Sequence, residues 1–391
     1  MKAIINTKLI MEDGIIWDGA LTFEDGKILQ ADWADKVAIP SDAEIIDAQG
    51  LYTAPGLIDI HNHGSDKEMF HEEPLKCAEH FLRHGQTTVL PTFYFTLSLE
   101  QMLEGAAKVK EASKTGAGKI LDGLYMEGPY MECIGSNQKF IKWQGEIREE
   151  EYAPLVAGLG DYVRVWAIDP AREGVERFMA YVKERYPNAI FALGHSSARS
   201  EQCRAVAHYG VKVQTHFSDS GSAKGRAQGT PGAGCDEYTL YNPDMYAELI
   251  CDVSGVHVVP DLIKLLIRTK GVERVCLITD SMASKENFPN CEAEGIWYGP
   301  DLNYDYRGWL AGSHLTLDNA CRNLMKHTGY GLCHAIRMAT LNPAKLLGID
   351  HRVGSLAPGK TANLILIDDM VNIRSVYLEG DLAVQNGEVL I

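Results

Sequence analysis

Hydrophobic and polar residues follow one pattern in the middle of the chain and another at its two ends. Between residues 54 and 347, short apolar, β-branched runs alternate with longer stretches of helical periodicity, such as Leu99 to Ser113 and Val175 to Tyr186. This alternation is typical of repeated βα units around a parallel sheet. Eight apolar runs can be counted, and they end near residues 61–63, 92, 127, 169, 195, 216, 252–254 and 280.

Eight βα units in succession favour an α/β fold of the (β/α)8 type, a TIM barrel. A doubly wound parallel sheet is the alternative, but no G-x-G-x-x-G sequence follows any of the eight runs. The stretch from Lys285 to Gly308 is rich in Asn, Tyr, Gly and Pro and has weak periodicity. It predicts an excursion with a hairpin after the last barrel strand. Helical periodicity returns over residues 317–327 and 334–347.

Both ends of the chain carry short alternating runs separated by Gly, Asp and Pro. In Leu21 to Leu29, the turn sequence Glu24-Asp25-Gly26 divides two such runs and predicts a β-hairpin. The residues after Gly354 repeat this pattern. We therefore predict a small β-sandwich domain built from residues 1–53 and 348–391, and a barrel domain over residues 54–347.

The composition is that of an ordinary globular protein. Of the 391 residues, 46% are hydrophobic and 23% are charged, which is enough for one large core and a smaller one. The formal net charge of −16 disfavours nucleic acid and anionic membranes as partners. No apolar run is long enough for a signal peptide or a membrane span. The nine cysteines form no C-x-x-C pair, so we expect a cytoplasmic protein with reduced thiols and no zinc ribbon.

Candidate metal ligands stand at the ends of the predicted barrel strands. Side chains two residues apart on a strand point the same way, so a His-x-His pair at a strand end can bind one metal ion. Active sites of TIM barrels lie at the C-terminal ends of the strands, where residues distant in sequence converge. Each candidate alone would be an ordinary core or capping residue, but together they would carry a heavy desolvation cost without a cation. The candidates are His61, His63, Glu127, His195, His216 and Asp280.

These residues lie in motifs that resemble those of the amidohydrolase superfamily, and within it those of the N-acetylglucosamine-6-phosphate deacetylases. The resemblance extends over nearly the whole chain. It implies a metal-dependent hydrolase that releases acetate from an N-acetylated amino-sugar phosphate. The motifs are Pro55 to Gly64, Met126 to Tyr130, Gly194 to Ala198, Thr215 to Phe217, Asp252 to Val258, Thr279-Asp280 and Leu310 to Ser313.

The resemblance also implies how the ligands are shared between metal ions. Glu127, His195 and His216 would hold the principal ion, and His61 and His63 would hold a second, with Glu127 as the bridge. The predicted fourth strand offers no lysine for the carboxylated bridge of many binuclear amidohydrolases, which disfavours a hydantoinase or a dihydroorotase. We expect one or two divalent ions per subunit. Zinc is our first choice, although His and carboxylate ligands also suit iron, cobalt and manganese.

Hydrolysis of an amide needs a stronger nucleophile than water and a stronger electrophile than the carbonyl. A divalent cation supplies both, because it lowers the pKa of bound water to about 7 and polarises the carbonyl. We expect Asp280 to take the proton of the water and to deliver it to the departing amine. His257, in the loop after strand seven, would hydrogen-bond the sugar or the developing oxyanion, with a plain loop histidine as the alternative.

Two segments expected to bind the substrate depart from the family pattern. Asp219, followed by Ser220, stands where the deacetylases carry Asn, and a carboxylate beside a phosphate is unfavourable unless a cation neutralises it. Arg226 suits bidentate phosphate binding, in the family often from the neighbouring subunit, so we expect a homodimer; a solvated loop arginine is the alternative. Ser136-Asn137 stands where the family usually has a His-Asn pair that contacts the substrate.

Other functions stay open at this point. The substrate, a small molecule in every enzymatic interpretation, would be an amino-sugar phosphate, another small N-acyl amine, a cyclic amide or an unphosphorylated amino sugar. A deaminase would release ammonia instead of acetate. A catalytically inactive barrel used as a scaffold would show gaps among the ligands, and the sequence shows none.

Overall fold

The computed structural model of the protein describes residues 1–65, 67–132, 135–136, 140–220, 232–283, 299–305 and 307–391. Strands and helices are numbered in chain order. The strands are β1 (Lys2–Ile10), β2 (Ile15–Glu24), β3 (Lys27–Trp33), β4 (Glu44–Asp47), β5 (Tyr52–Pro55), β6 (Leu57–Asn62), β7 (Gln86–Tyr94), β8 (Leu124–Glu127), β9 (Val163–Ile168), β10 (Ile190–Leu193), β11 (Val211–Gln214), β12 (Tyr246–Ile250), β13 (Val275–Ile278), β14 (Leu302–Tyr304), β15 (Leu310–Ser313), β16 (Leu364–Ile367), β17 (Ile373–Leu378), β18 (Asp381–Gln385) and β19 (Glu388–Val389). The α-helices are α1 (Pro74–Arg83), α2 (Leu99–Ala112), α3 (Glu149–Leu159), α4 (Val175–Arg185), α5 (Ser200–Val206), α6 (Cys235–Tyr241), α7 (Pro260–Lys270), α8 (Leu317–Thr328), α9 (Leu332–Met338) and α10 (Leu341–Leu347).

The eight strands β6 to β13 form the barrel, and each pairs in parallel with the next one in sequence. Backbone hydrogen bonds complete the ring just beyond the strand ends. Asp280 N donates to His61 O at 3.0 Å, and His63 N donates to Ser281 O at 2.9 Å. The predicted (β/α)8 fold is confirmed, and each of the eight strands ends within two residues of the position that the sequence pattern predicted.

The helices around the barrel follow the local sequence. Helix α2 begins after Ser98 because the Ser98 side chain accepts from Gln101 N while the Gln101 side chain accepts from Ser98 N, a capping box. Its buried positions recur at helical spacing, as at Met102, Ala106 and Val109. This apolar face packs on the barrel, so the outer helices hold the strands whose ends carry the candidate ligands.

One predicted helical stretch, residues 334–347, is two helices, α9 and α10. Pro343 has no N–H and is tolerated only in the first turn of a helix, so the chain must restart shortly before it. The carbonyl of Ala339, which a continuous helix would pair with residue 343, accepts instead from Ile58 N at 2.8 Å. The break therefore ties this helical pair to the first barrel strand.

Both ends of the chain form one sheet outside the barrel, in the order β19-β18-β17-β16-β5-β1-β2-β3, with β4 paired to β1. The predicted β structure built from both ends is confirmed as a separate sheet, whose strands are joined by hydrogen bonds; the domain bounds 1–53 and 348–391 stay a prediction. Strand β5 pairs with β1 and β16 and leads through Gly56 directly into β6. The core of this domain includes Ile4, Leu9, Leu21, Phe23, Ile28, Leu356, Leu364 and Leu366.

The excursion after β13 contains the predicted hairpin, formed by β14 and β15. Ser313 N donates to Asp280 O at 2.8 Å and Met282 N donates to Ser313 O at 2.9 Å, so the hairpin is anchored at the end of the last barrel strand. Residues 284–298 and 306 lie outside the described residues. Within the described part of the chain, no helix has the length and apolarity needed to cross a membrane.

Candidate active site

The six predicted strand-end residues converge at the C-terminal mouth of the barrel. They come from five separate regions of the chain, and all six side chains are buried. His61 and Glu127 lie in the last two positions of their strands, and the others follow a strand end within two residues. The six are His61, His63, Glu127, His195, His216 and Asp280.

Glu127 brings the first three ligands together. Its Oε1 atom lies 2.8 Å from His195 Nε2 and 3.0 Å from His216 Nε2, and the two Nε2 atoms are 3.1 Å apart. Three potential ligand atoms thus surround one point. Two imidazoles and a carboxylate are a donor set that first-row divalent metals accept.

The same carboxylate faces the His61-x-His63 pair. Glu127 Oε2 lies 3.3 Å from His63 Nε2, and Glu127 Oε1 lies 3.8 Å from His61 Nε2. Within each of the two groups, the ligand atoms lie within 4.8 Å of one another. The structure therefore brings together two three-residue groups with one shared member, as the predicted bridging arrangement requires.

The protein atoms leave one of these nitrogens unsatisfied. His61 Nε2 is buried and has no hydrogen-bond partner among the described residues. Such an atom costs on the order of 1–3 kcal/mol, unless something binds it. A cation between His61, His63 and Glu127 would satisfy that nitrogen, so the residues present fit a metal.

The other ring nitrogen of three histidines is fixed by an acceptor. His61 Nδ1 donates to Glu248 Oε2 at 2.9 Å, His63 Nδ1 to Thr92 O at 3.1 Å and His216 Nδ1 to Asp219 O at 2.9 Å. An acceptor at Nδ1 holds a ring proton there, so that Nε2 can offer its lone pair to a metal once Nε2 carries no proton of its own.

Sequence reasoning did not include Glu248. It lies in the interior of strand β12, completely buried, and its Oε2 also accepts from His216 N at 3.2 Å. One signal was available, because Glu248 is the only charged residue in the otherwise uncharged strand Tyr246–Ile250. A buried carboxylate needs partners, and here they are two residues of the metal groups.

Three of the site residues have left-handed backbone conformations. The φ angles are 43° at His195, 28° at His216 and 47° at Asp280. Residues other than glycine rarely adopt such angles, and each costs of order 1–3 kcal/mol. Strain of this kind collects at functional sites, where the surrounding structure enforces it.

Asp280 lies beside the His-x-His pair. Its Oδ1 atom is 3.1 Å from His63 Nε2 and 3.6 Å from His61 Nε2. Burial favours the neutral acid, but the hydrogen bond from His63 and the charges on His61, His63 and His216 outweigh it and lower the pKa of Asp280. The carboxylate form, which can accept a proton, is the stable one at neutral pH.

His257 is also buried, and both of its ring nitrogens face acceptors. Nδ1 lies 3.3 Å from Asp252 Oδ2, and Nε2 lies 3.2 Å from Gly312 O. Burial opposes protonation, but the bond to Asp252 and the charges on Asp252, Asp219 and Asp280 raise the pKa of His257. Because Nε2 already faces Gly312 O, a direct hydrogen bond from His257 to a substrate would have to replace that contact.

A small cleft opens above the ligands. Of the residues expected to bind the substrate, Ser136, Asp219 and Ser220 line it, together with the aromatic side chains of Tyr94 and Phe95. Ser220 Oγ donates to Asp219 Oδ1 at 3.3 Å. Asn137 and Arg226, also expected to bind the substrate, lie outside the described residues.

Comparison with known proteins assigns this barrel to a family. The sequence profile of the amidohydrolase family matches residues 52–387. The chain therefore belongs to the amidohydrolase family and is a hydrolase that acts on amide bonds.

Individual similar proteins point to a narrower group within this family. The chain is 30% identical over 386 residues to N-acetylgalactosamine-6-phosphate deacetylase of Escherichia coli O157:H7, with 96% of this chain and 97% of that one aligned. It is 27% identical to N-acetylglucosamine-6-phosphate deacetylase of Haemophilus influenzae, over 97% and 98% of the two chains. The crystal structure of N-acetylglucosamine-6-phosphate deacetylase from Pasteurella multocida matches with a TM-score of 0.83 and 25% identity, over 97% of this chain and 99% of that one. The resemblance to this group of deacetylases is confirmed.

Proposed function

We propose that the protein hydrolyses the acetamide of N-acetylglucosamine 6-phosphate to give glucosamine 6-phosphate and acetate. The observation that carries the proposal is one carboxylate, Glu127, shared by two histidine pairs at the barrel mouth, with Asp280 beside it. The names of the similar proteins support this substrate class. N-acetylgalactosamine 6-phosphate is the second candidate, because the relative that is 30% identical carries that name.

We propose that Glu127, His195 and His216 hold the catalytic divalent ion and that His61 and His63, with Glu127, hold a second. A divalent ion bound there would lower the pKa of water and polarise the amide carbonyl. Zinc is the ion we propose, since imidazole and carboxylate ligands suit it; iron, cobalt and manganese accept the same ligands.

Asp280 moves the proton in this proposal. Its carboxylate takes a proton from the water as the water oxygen attacks the carbonyl carbon. The C–N bond then breaks, and Asp280 returns the proton to the amine nitrogen, which leaves as a neutral amine. The acetic acid formed still carries the second proton of the water and gives it to the free amine. The products are therefore acetate and the ammonium form of the amino-sugar phosphate, and Asp280 ends as the carboxylate in which it began.

The remaining residues would hold the sugar phosphate. Ser136, Asp219 and Ser220 line the cleft, so their hydroxyls and carboxylate are available to sugar hydroxyls. The raised pKa of His257 favours its protonated form, which would attract an anionic substrate. We propose that Asn137 and Arg226 complete the pocket, with Arg226 reaching a phosphate across a homodimer, and that the enzyme works in the cytoplasm.

Acetate release from four sugars tests the proposal. Protein loaded with zinc is incubated with the 6-phosphates of N-acetylglucosamine and N-acetylgalactosamine and with both unphosphorylated sugars. We expect turnover of a phosphorylated sugar, loss of turnover after chelation, and recovery when zinc is restored. Acetate from neither phosphorylated sugar would refute the substrate assignment, and ammonia in place of acetate would identify a deaminase.

A further inference from the structure

A second cavity lies at the opposite end of the barrel from the ligands. It has a volume of about 740 Å³, and it is bounded by the N-terminal ends of β9, β10 and β11 and by the turn after α10. His195 and His216 follow the C-terminal ends of β10 and β11, so the two sites lie on opposite faces. Five cations line the cavity: Arg164, Lys183, Lys212, Lys345 and Arg352.

The cations of this basic cavity are poorly balanced by the protein. Among the described residues that line it, none is a carboxylate. Arg352 is paired with Asp122 from outside the lining, Nη2 to Oδ2, at 2.6 Å. Lys183 Nζ donates to the backbone carbonyl of Ala189 at 3.0 Å and forms no ion pair among the described residues.

Mutual repulsion acts on one of these residues. Burial and the nearby charge of Lys212 lower the pKa of Lys183. Like charges that face each other in a cleft destabilise a fold, and a protein with a net charge of −16 has ample carboxylates to neutralise them. The N-terminal face of a TIM barrel usually contributes to the stability of the fold. A cluster of like charges lowers that stability, so stability does not explain why these cations lie together.

We propose that the basic cavity binds a small phosphorylated molecule, separately from the active site. Lys supplies point charges and Arg a planar fork, which is the mixture that recognises phosphate groups. The volume falls within the range of about 300–1,000 Å³ typical of small-molecule sites. A nucleic acid is disfavoured because the negative net charge of the remaining protein would repel a long polyanion.

Binding of glucose 6-phosphate, measured by isothermal titration calorimetry, tests the proposal on the full-length zinc-loaded protein. The variant K212A/K345A removes two exposed cations from the cavity. K264A/K326A removes two exposed lysines elsewhere and keeps the same net charge as the first variant. Melting temperatures of both variants verify that the fold is retained.

We expect wild type and K264A/K326A to bind glucose 6-phosphate equally, and K212A/K345A to lose this binding event or to bind at least roughly tenfold more weakly. Unphosphorylated glucose should give no such event. Acetate release without added glucose 6-phosphate should be the same in all three proteins, which separates this site from the active site. Equal binding by both variants, or no difference between glucose 6-phosphate and glucose, would overturn the proposal.

Discussion

Glu248 Oε2 lies 2.9 Å from His61 Nδ1, so a carboxylate inside one barrel strand orients an imidazole on another. We expect Glu248→Gln to weaken zinc binding by about tenfold to hundredfold, because the charge that makes His61 a stronger ligand is lost. Competition with a chelating dye measures the affinity. Glu201→Gln, at an exposed helical position, is the control. Unchanged affinity in Glu248→Gln would remove Glu248 from the metal site.

Asp280 is expected to be needed for turnover but not for the fold. Asn tolerates the left-handed conformation that Asp280 adopts, with φ of 47°, so Asp280→Asn should fold normally. It cannot accept the proton, and kcat should fall by about 10²–10⁴-fold with the zinc content retained. Asp161→Asn, at an exposed position, should behave as wild type. Near-normal kcat in Asp280→Asn would exclude it as the base.

The two metal groups should respond differently to the same substitution. His195→Asn should lose the principal ion and with it nearly all turnover. His61→Asn should lose the second ion only and keep more activity than His195→Asn, since Glu127, His195 and His216 remain. Metal content by mass spectrometry and acetate release measure the two effects. Equal losses in both variants would mean that a single ion uses all five ligands.

Asp219 should discriminate against phosphate. Its carboxylate lines the cleft, and removing the charge in Asp219→Asn should lower KM for phosphorylated sugars by roughly threefold to tenfold, with kcat little changed. The unphosphorylated sugars serve as the control, because the substitution should leave their KM unchanged. A KM that falls equally for both kinds of sugar would assign Asp219 to sugar hydroxyls instead.

Asp169 is expected to make the protein less stable as the pH rises. It is buried; burial raises its pKa from 3.8 to about 6, against the hydrogen bonds from Ser196 and from Ala171 N. Between these two pH values the native state keeps a proton that the unfolded state has lost, so stability falls with rising pH and stays lower above pH 6. The loss is about 3 kcal/mol at most.

Asp169→Asn should abolish that part of the pH dependence. The amide oxygen can accept the same two hydrogen bonds, so the variant should be the more stable protein at pH 7 and closer to wild type at pH 4.5. Urea unfolding at both pH values measures the difference. Asp59 and Asp236 also have pKa values raised to about 6 by burial, but they contribute equally to both proteins. If the difference in the free energy of unfolding between Asp169→Asn and wild type does not grow from pH 4.5 to pH 7, the raised pKa of Asp169 is contradicted.

Much of the barrel and of the ligand set could be predicted because both are local in sequence. Each strand is a short apolar run, and five of the six candidates stand at or just after the end of such a run, as His195 follows Ile190–Leu193. Fold geometry then brings them together without further information. Pro343 indicated the break between α9 and α10, although the helical periodicity alone predicted one continuous stretch.

The partners that orient the ligands could not be predicted in the same way. Two of them are backbone carbonyls, Thr92 O and Asp219 O, and every residue has a carbonyl. Glu248 is a different case, because a charged residue inside an apolar strand can be recognised in the sequence. Its partner His61 cannot be recognised in the same way, because only the folded barrel brings the two side chains together.

The closure of the barrel sets an order of events during synthesis. Asp280 N bonds to His61 O, and Thr279 Oγ1 bonds to Asp59 Oδ2 across about 220 residues of sequence. A ribosome adding about 5–20 residues per second needs roughly 10–45 s to cover that interval. All five candidate ligands are translated before Asp280, so a nascent chain can emerge with its ligands complete while the residue proposed to move the proton is still missing. Hydrolysis would begin only when the last barrel strand arrives.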